Sequence, residues 1–125
     1  MLEGKCMYTI RIEQSFSAAH YLTNFHGKCE NLHGHNYTVR VYVTGQTLDK
    51  AGMLVDFGIA KHQLKNVLEL LDHKNLNDIP EFQNSPSAER IAQFIYHALV
   101  QRNATIPWQA VEVFETETSM ARYEP

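Results

Sequence analysis

The feature of this sequence that most constrains its fold is a change in the spacing of its apolar residues. Segments 7–16 and 36–44 alternate apolar and polar residues, a period of two that is typical of antiparallel strands with one buried face. Between Asp56 and Leu71 the apolar residues recur every three or four positions, which predicts an amphipathic helix with Asp56 as its N-cap. The chain therefore contains strands and helices in separate stretches.

The second half of the chain predicts another helix and two more strands. Ser85 and Pro86 are typical of an N-cap followed by proline at the first helical position, and Glu89 is favourable in the first turn. Segments 110–114 and 119–123 are interpreted as a closing pair of strands. The order ββααββ predicts an α+β fold: a four-stranded antiparallel sheet with two helices on one face.

Composition narrows the class of protein. The chain has 125 residues, of which 44% are hydrophobic, so we expect residues 1–125 to form a single domain with an ordinary core. The formal net charge of −3 gives no support for nucleic-acid binding, which usually needs a basic surface. Cys6 and Cys29 are too few for a disulfide scaffold, and no signal peptide or membrane-spanning segment is predicted. We expect a reduced, cytoplasmic protein.

Three of the seven histidines have a spacing that suits a metal ion. His33 and His35 lie two residues apart in an extended segment, so their side chains point to the same face, which is also that of Tyr37. His20 falls on the predicted buried face of the first strand. If the two strands pair antiparallel, the three imidazoles can meet, and three imidazoles with one open position describe a catalytic zinc site.

Cys29 lies four residues before His33 and leaves several chemistries open. A nearby metal would lower the pKa of its thiol, so that the thiolate could be a general base, a nucleophile or the fourth ligand of a closed structural zinc site. Alternatively, Cys29 is a small buried hydrophobe, His20 caps a strand, and His33 and His35 belong to a polar loop. Cys6 has no histidine near it in sequence and is interpreted as structural.

Several motifs, in the right order, resemble those of the 6-pyruvoyltetrahydropterin synthase superfamily. They occupy residues 16–20, 27–37, 52–57, 71–77, 86–89 and 111–116. Three residues separate Cys29 from His33, which is typical of the 6-carboxytetrahydropterin synthase branch of queuosine (7-deazaguanine) biosynthesis, whereas the pyruvoyl branch usually has a longer gap. The resemblance implies the tunnelling fold, in which the sheets of three subunits form a trimeric barrel and two trimers stack as a homohexamer.

The resemblance also implies roles for individual residues. His20, His33 and His35 would bind Zn²⁺, and Cys29 would abstract protons as the base. Asp72 and His73 would complete a proton relay, although neighbours in a regular helix point about 100° apart. Either the helix has ended before them, or the two residues act differently. Alternatively, His73 has no catalytic role, and its imidazolium is simply favoured by the helix dipole near the C-terminus.

Glu115 continues the parity of Val111 and Val113, which places a carboxylate where an apolar residue is expected. The resemblance implies that Glu115, with Thr116 beside it, binds the N–H edge of the pterin and that Glu115 also takes part in the relay. Alternatively, the strand ends at Phe114 and Glu115 reaches solvent.

The reaction implied is that of a zinc-dependent lyase: 7,8-dihydroneopterin triphosphate yields 6-carboxy-5,6,7,8-tetrahydropterin, acetaldehyde and triphosphate. The cations that could bind the triphosphate are Lys28, Arg40, Lys61 and Arg122. Rival hypotheses are 6-pyruvoyltetrahydropterin synthesis or another side-chain cleavage of dihydroneopterin on the same scaffold, and a non-catalytic zinc- or pterin-binding protein.

Overall fold

The computed structural model describes residues 7–23, 27 and 30–125, so Cys6, Lys28 and Cys29 lie outside the described residues. Its strands are β1 (Tyr8–His20), β2 (His33–Gly45), β3 (Trp108–Thr116) and β4 (Ser119–Tyr123), and its helices are α1 (Phe57–Leu68) and α2 (Ala88–Arg102). Two short 3₁₀ turns, Leu76–Asp78 and Pro80–Phe82, lie between the helices. The predicted order ββααββ is confirmed.

The four strands form one antiparallel sheet in the order β1-β2-β3-β4. The alternation in β2 matches its burial: Tyr37, Val39, Val41 and Val43 are fully buried, while the residues between them face away from the core. Apolar residues of both helices, including Leu64 and Ile95, join the same core. The sheet therefore buries one face beneath the two helices.

The N-cap residue was predicted correctly for α1 but not for α2. Asp56 caps α1, since its carboxylate accepts from the backbone N–H of Gly58 at 2.9 Å. The prediction for α2 is wrong by two residues: Ser87 is the cap, with its hydroxyl accepting from Arg90 N–H. Ser85 instead closes the preceding turn by donating its N–H to Phe82. Neither these nor any other helix of the described part of the chain has the length and apolar character needed to cross a membrane.

β1 continues four residues beyond the predicted segment and ends at His20. Its last residues pair with β2 on one side, where Ala18 lies opposite His35 and His20 opposite His33. On the other side Ala19 N–H donates to the carbonyl of Lys74 at 3.0 Å. Backbone pairing on both sides keeps this end of β1 extended, which brings His20 to the start of β2.

Candidate metal centre and active site

His20, His33 and His35 converge at the end of the β1–β2 pair. The ring centroids are 4.5 Å apart for His20 and His33, 5.0 Å for His20 and His35, and 4.8 Å for His33 and His35. One ring nitrogen from each residue lies within 4.8 Å of the other two. The prediction that the three imidazoles meet is confirmed, and the alternative that His33 and His35 belong to a polar loop is wrong, since both lie in β2.

Backbone carbonyls fix which nitrogen of two of these rings faces the centre. The Nδ1–H of His20 donates to Pro86 at 2.8 Å, and that of His33 donates to Asn31 at 2.6 Å. A ring that donates from Nδ1 carries a lone pair on Nε2 when it is neutral. Both Nε2 atoms are therefore available as ligands.

Nε2 of His20 is a buried nitrogen without a hydrogen-bond partner among the described residues. The side chain is 1% exposed, and this burial is the largest cause that lowers its pKa below the ordinary value, against the opposing effect of the Pro86 hydrogen bond. A buried polar atom of this kind usually has a partner. A metal ion bound to the neutral imidazole would satisfy it, so the residues present fit a metal site.

Glu115 lies beside this group of histidines. Its Oε2 is 3.6 Å from Nε2 of His20, and its side chain is 28% exposed. The alternative that the strand ends at Phe114 is wrong, because β3 runs to Thr116 through an irregularity in its pairing with β4. Glu115 and Thr116 line one cleft of about 590 Å³. A carboxylate thus stands at the edge of the candidate metal centre, which its parity with Val111 and Val113 did not by itself predict.

Asp72 and His73 follow α1 rather than belonging to it, because α1 ends at Leu68. His73 has a φ of 59°, in the left-handed region, so the limit set by a regular helix does not apply. Asp72 Oδ1 accepts from Ser17 N–H at 2.9 Å, and Oδ2 lies 3.0 Å from Nδ1 of His73. The Ser17 hydrogen bond, and then the one from His73, lower the pKa of Asp72.

Of this pair, the imidazole of His73 shares a cleft with one of the three histidines. His73 and His35 line the same cleft of about 490 Å³, together with backbone-paired residues of β1 and the turn at Lys74. The ring of His73 is 82% exposed. Its position suits a group that exchanges protons with a molecule bound in the cleft.

Sequence reasoning gave no role to Tyr37, although its parity with His33 and His35 was visible. The side chain is fully buried, and its hydroxyl has no hydrogen-bond partner among the residues that the structure describes. Burial, and then the charge of Glu115, raise the pKa of Tyr37 far above its ordinary value. The phenol is therefore a hydrogen-bond donor at neutral pH.

Two of the predicted triphosphate-binding cations are held in ion pairs on the sheet face opposite the helices. Arg40 contacts Glu13 at 2.7 Å, and Arg122 contacts Glu112 at 2.9 Å. Register places these four residues side by side across the sheet, in the order Glu13, Arg40, Glu112 and Arg122. Acidic and basic side chains thus alternate from one edge strand to the other.

Lys61, another of the predicted triphosphate-binding cations, is exposed on α1.

Comparisons of the sequence and of the structure with known proteins all find tetrahydropterin synthases. The family model for 6-pyruvoyl tetrahydropterin synthase matches residues 9–125. A Synechocystis sp. protein named 6-carboxy-5,6,7,8-tetrahydropterin synthase is 42% identical, covering 94% of this chain and 93% of its own. A Dictyostelium discoideum 6-pyruvoyl tetrahydrobiopterin synthase is 36% identical, over 78% of this chain and 74% of its own. The structure of 6-pyruvoyl tetrahydropterin synthase from Caenorhabditis elegans is similar with a TM-score of 0.86 and 29% identity, over 96% of both chains.

Proposed function

The chain belongs to the 6-pyruvoyl tetrahydropterin synthase family, and from this premise we propose that it is a 6-carboxy-5,6,7,8-tetrahydropterin synthase of queuosine biosynthesis. It is a lyase that converts 7,8-dihydroneopterin triphosphate to 6-carboxy-5,6,7,8-tetrahydropterin, acetaldehyde and triphosphate, with the uptake of water. The similarity to the Synechocystis sp. protein of that name supports this choice.

The observation that carries the proposal is the orphaned Nε2 of His20 in a group of three imidazoles. The carboxylate of Glu115 lies 3.6 Å from this nitrogen, and the exposed imidazole of His73 shares a cleft with His35. A closed structural site would have no use for such groups, whereas a lyase needs proton donors and acceptors beside its metal.

We propose that His20, His33 and His35 bind Zn²⁺, because neutral imidazoles are common ligands of that ion and three of them leave a position for substrate. When bound, the metal supplies Lewis acidity that makes the side-chain hydroxyls of the pterin more acidic. The hydrogen bond from His20 to Pro86 fixes the ring orientation before the ion binds.

The chain's own side chains bind the substrate and move its protons. Glu115, with Thr116 beside it, accepts hydrogen bonds from the N–H edge of the pterin ring. Cys29 is the proposed base, and His73 returns protons while Asp72 holds its imidazole through Nδ1. The candidates for binding the triphosphate are Lys28, Arg40, Lys61 and Arg122, of which Arg40 and Arg122 already pair with carboxylates of the chain. We place the reaction in the cytoplasm, where a catalytic thiol stays reduced.

The sheet supports a proposed assembly of several copies. β1 and β4 are the two edge strands of the sheet, and they run in opposite directions. The β4 edge of one copy can therefore pair with the β1 edge of a second copy and keep the sheet antiparallel throughout. The charged row then continues, with Arg122 facing a Glu13. We propose that three copies close into a barrel and that two barrels stack as a homohexamer, since closure removes both exposed edges.

Product identification tests the proposed function. Purified metal-loaded protein is incubated with 7,8-dihydroneopterin triphosphate, and the pterin and volatile products are identified. Acetaldehyde and 6-carboxytetrahydropterin are expected. A product that retains all side-chain carbons would instead indicate the pyruvoyl reaction, which the Dictyostelium discoideum relative's name represents. No turnover would favour a binding protein.

The Cys29→Ala variant separates a catalytic thiol from a metal ligand. The proposal expects full metal content and no turnover in this variant. Loss of metal would show that the thiolate closes a structural site and would contradict the assigned role.

A further inference from the structure

The hydroxyl of Tyr37 needs a partner that the metal does not provide. Within the described residues, two buried side-chain atoms have no hydrogen-bond partner, Nε2 of His20 and the hydroxyl oxygen of Tyr37. The proposed metal accounts for the nitrogen. A buried hydroxyl left unpaired destabilises a protein, so such groups are nearly always satisfied in the state in which the protein works.

The ring of Tyr37 is held in place on several sides. It stacks on Phe16 with centroids 4.8 Å apart and planes 12° apart. The rings of His20 and His35 meet it edge to face, at 5.8 and 5.3 Å. These contacts hold the ring against two of the proposed metal ligands and leave it little freedom to turn away.

Glu115 supplies a hydrogen-bond acceptor beside the proposed metal centre. Its carboxylate lies 3.6 Å from Nε2 of His20, a nitrogen that a bound ion would occupy. The pairing of β3 with β4 is irregular between Phe114 and Thr116, so regular strand geometry does not fix this side chain. Glu115 and Tyr37 both lie against His20, the carboxylate at 3.6 Å from Nε2 and the phenol ring edge to face at 5.8 Å between centroids.

Resting on the proposed function, we propose that Tyr37 is a positioning residue whose hydroxyl donates a hydrogen bond to the carboxylate of Glu115 in the loaded site. The bond holds the carboxylate towards the N–H edge of the pterin, where it accepts from the substrate.

The Tyr37→Phe variant tests this role, with Tyr96→Phe as the matched control. The hydroxyl of Tyr96 donates to the carbonyl of Trp108 at 3.2 Å, on the α2 side of the fold. Metal content, kcat and KM are measured for both metal-loaded variants, and the melting temperature is measured for both metal-free variants. The affinity for 6-carboxypterin is followed by its fluorescence.

For Tyr37→Phe we expect unchanged metal content and about tenfold weaker 6-carboxypterin binding. The melting temperature of the metal-free variant should be no lower than that of the metal-free wild type, because the hydroxyl has no partner there among the described residues. KM should rise more than kcat falls. Tyr96→Phe should bind the pterin as the wild type does. Unchanged pterin affinity in Tyr37→Phe would overturn the proposal, as would loss of metal or of thermal stability, because each would show that the hydroxyl acts elsewhere.

A double-mutant cycle with Glu115→Gln checks that Tyr37 acts through Glu115. In the Glu115→Gln background, Tyr37→Phe should change pterin affinity by less than about twofold, because the charged acceptor is already gone. Fully additive effects would overturn the proposal. A wild-type protein that binds no pterin would contradict the proposed function itself, and this inference with it.

Discussion

The imidazole of His20 donates a hydrogen bond from Nδ1 to the carbonyl of Pro86, 66 residues further along the chain, at 2.8 Å. This bond joins the end of β1 to the residue that precedes the cap of α2. It fixes the tautomer of His20 and leaves Nε2 as the atom that faces His33 and His35. This hydrogen bond therefore orients one of the proposed metal ligands.

Replacing a ligand histidine should abolish metal binding. We expect His35→Ala to lower metal affinity at least about 100-fold, since even the loss of a group that only orients a ligand costs 10- to 100-fold. The matched control is His62→Ala, on the exposed side of α1. Metal content after dialysis against a chelator checks the expectation, and full occupancy in His35→Ala would contradict it.

The Asp72→Asn variant should slow the reaction without removing the metal. The amide keeps an oxygen that can accept from Ser17 N–H, but it removes the negative charge that faces His73. We expect kcat to fall about 100-fold, within the range for general acid–base groups, with the exposed Asp78→Asn as control. Equal rates in wild type and Asp72→Asn would rule out a role for this carboxylate.

Wild type and Asp72→Asn should also differ in how their stability depends on pH. The pKa of Asp72 is lowered in the folded state, so its contribution to stability is complete above its unfolded value of about 3.9 and is lost as pH falls through the folded value. The stability difference between wild type and Asp72→Asn should thus be constant near neutrality and shrink below about pH 4. Urea unfolding at a series of pH values measures this stability difference. A difference that grew as the pH fell would contradict the expectation.

Arg122→Ala should destabilise the fold more than Arg40→Ala. Arg122 pairs with Glu112, whose side chain is only 11% exposed, whereas the partner of Arg40, Glu13, is 46% exposed. Loss of Arg122 leaves a nearly buried carboxylate with Tyr42 as its remaining donor. We expect a cost of about 1–2 kcal/mol, reduced by the partial exposure of Arg122. Denaturant unfolding compares the two variants, and a larger loss for Arg40→Ala would contradict this ranking.

Charge reversal at the β1 edge should weaken the proposed assembly. Glu13→Lys would place a cation opposite Arg122 of the next copy, and like charges directly opposite destabilise a strand pair. Sedimentation should show an oligomer for the wild type and smaller species for Glu13→Lys. Glu69→Lys, exposed at the end of α1, serves as the control. A monomeric wild type at micromolar concentration would contradict the barrel.

The fold and the meeting of the histidines could be predicted because both depend on residue parity. In a strand, alternate residues share a face, so His33, His35 and Tyr37 had to lie together, and antiparallel pairing brought His20 to them. The same parity argument placed Glu115 on the strand face of Val111 and Val113. These features need only local sequence and one pairing rule.

Other features depend on contacts between distant segments, which local patterns do not encode. Ser85 and Ser87 are both good caps in sequence, and only the turn that Ser85 closes with Phe82 decides between them. His73, whose backbone is left-handed, donates its N–H to the carbonyl of Ser17 at the β1 edge, a contact between segments far apart in sequence. The unpartnered hydroxyl of Tyr37 is visible only once its surroundings are known.

Metal titration of metal-free protein, with acetaldehyde release from 7,8-dihydroneopterin triphosphate as the readout, tests the central claim most directly. The claim is that His20, His33 and His35 hold one catalytic ion. The rate should rise in proportion to added Zn²⁺ and reach a plateau at one ion per chain, and His35→Ala should stay inactive throughout. Acetaldehyde release without metal, or from His35→Ala at the wild-type rate, would contradict the account.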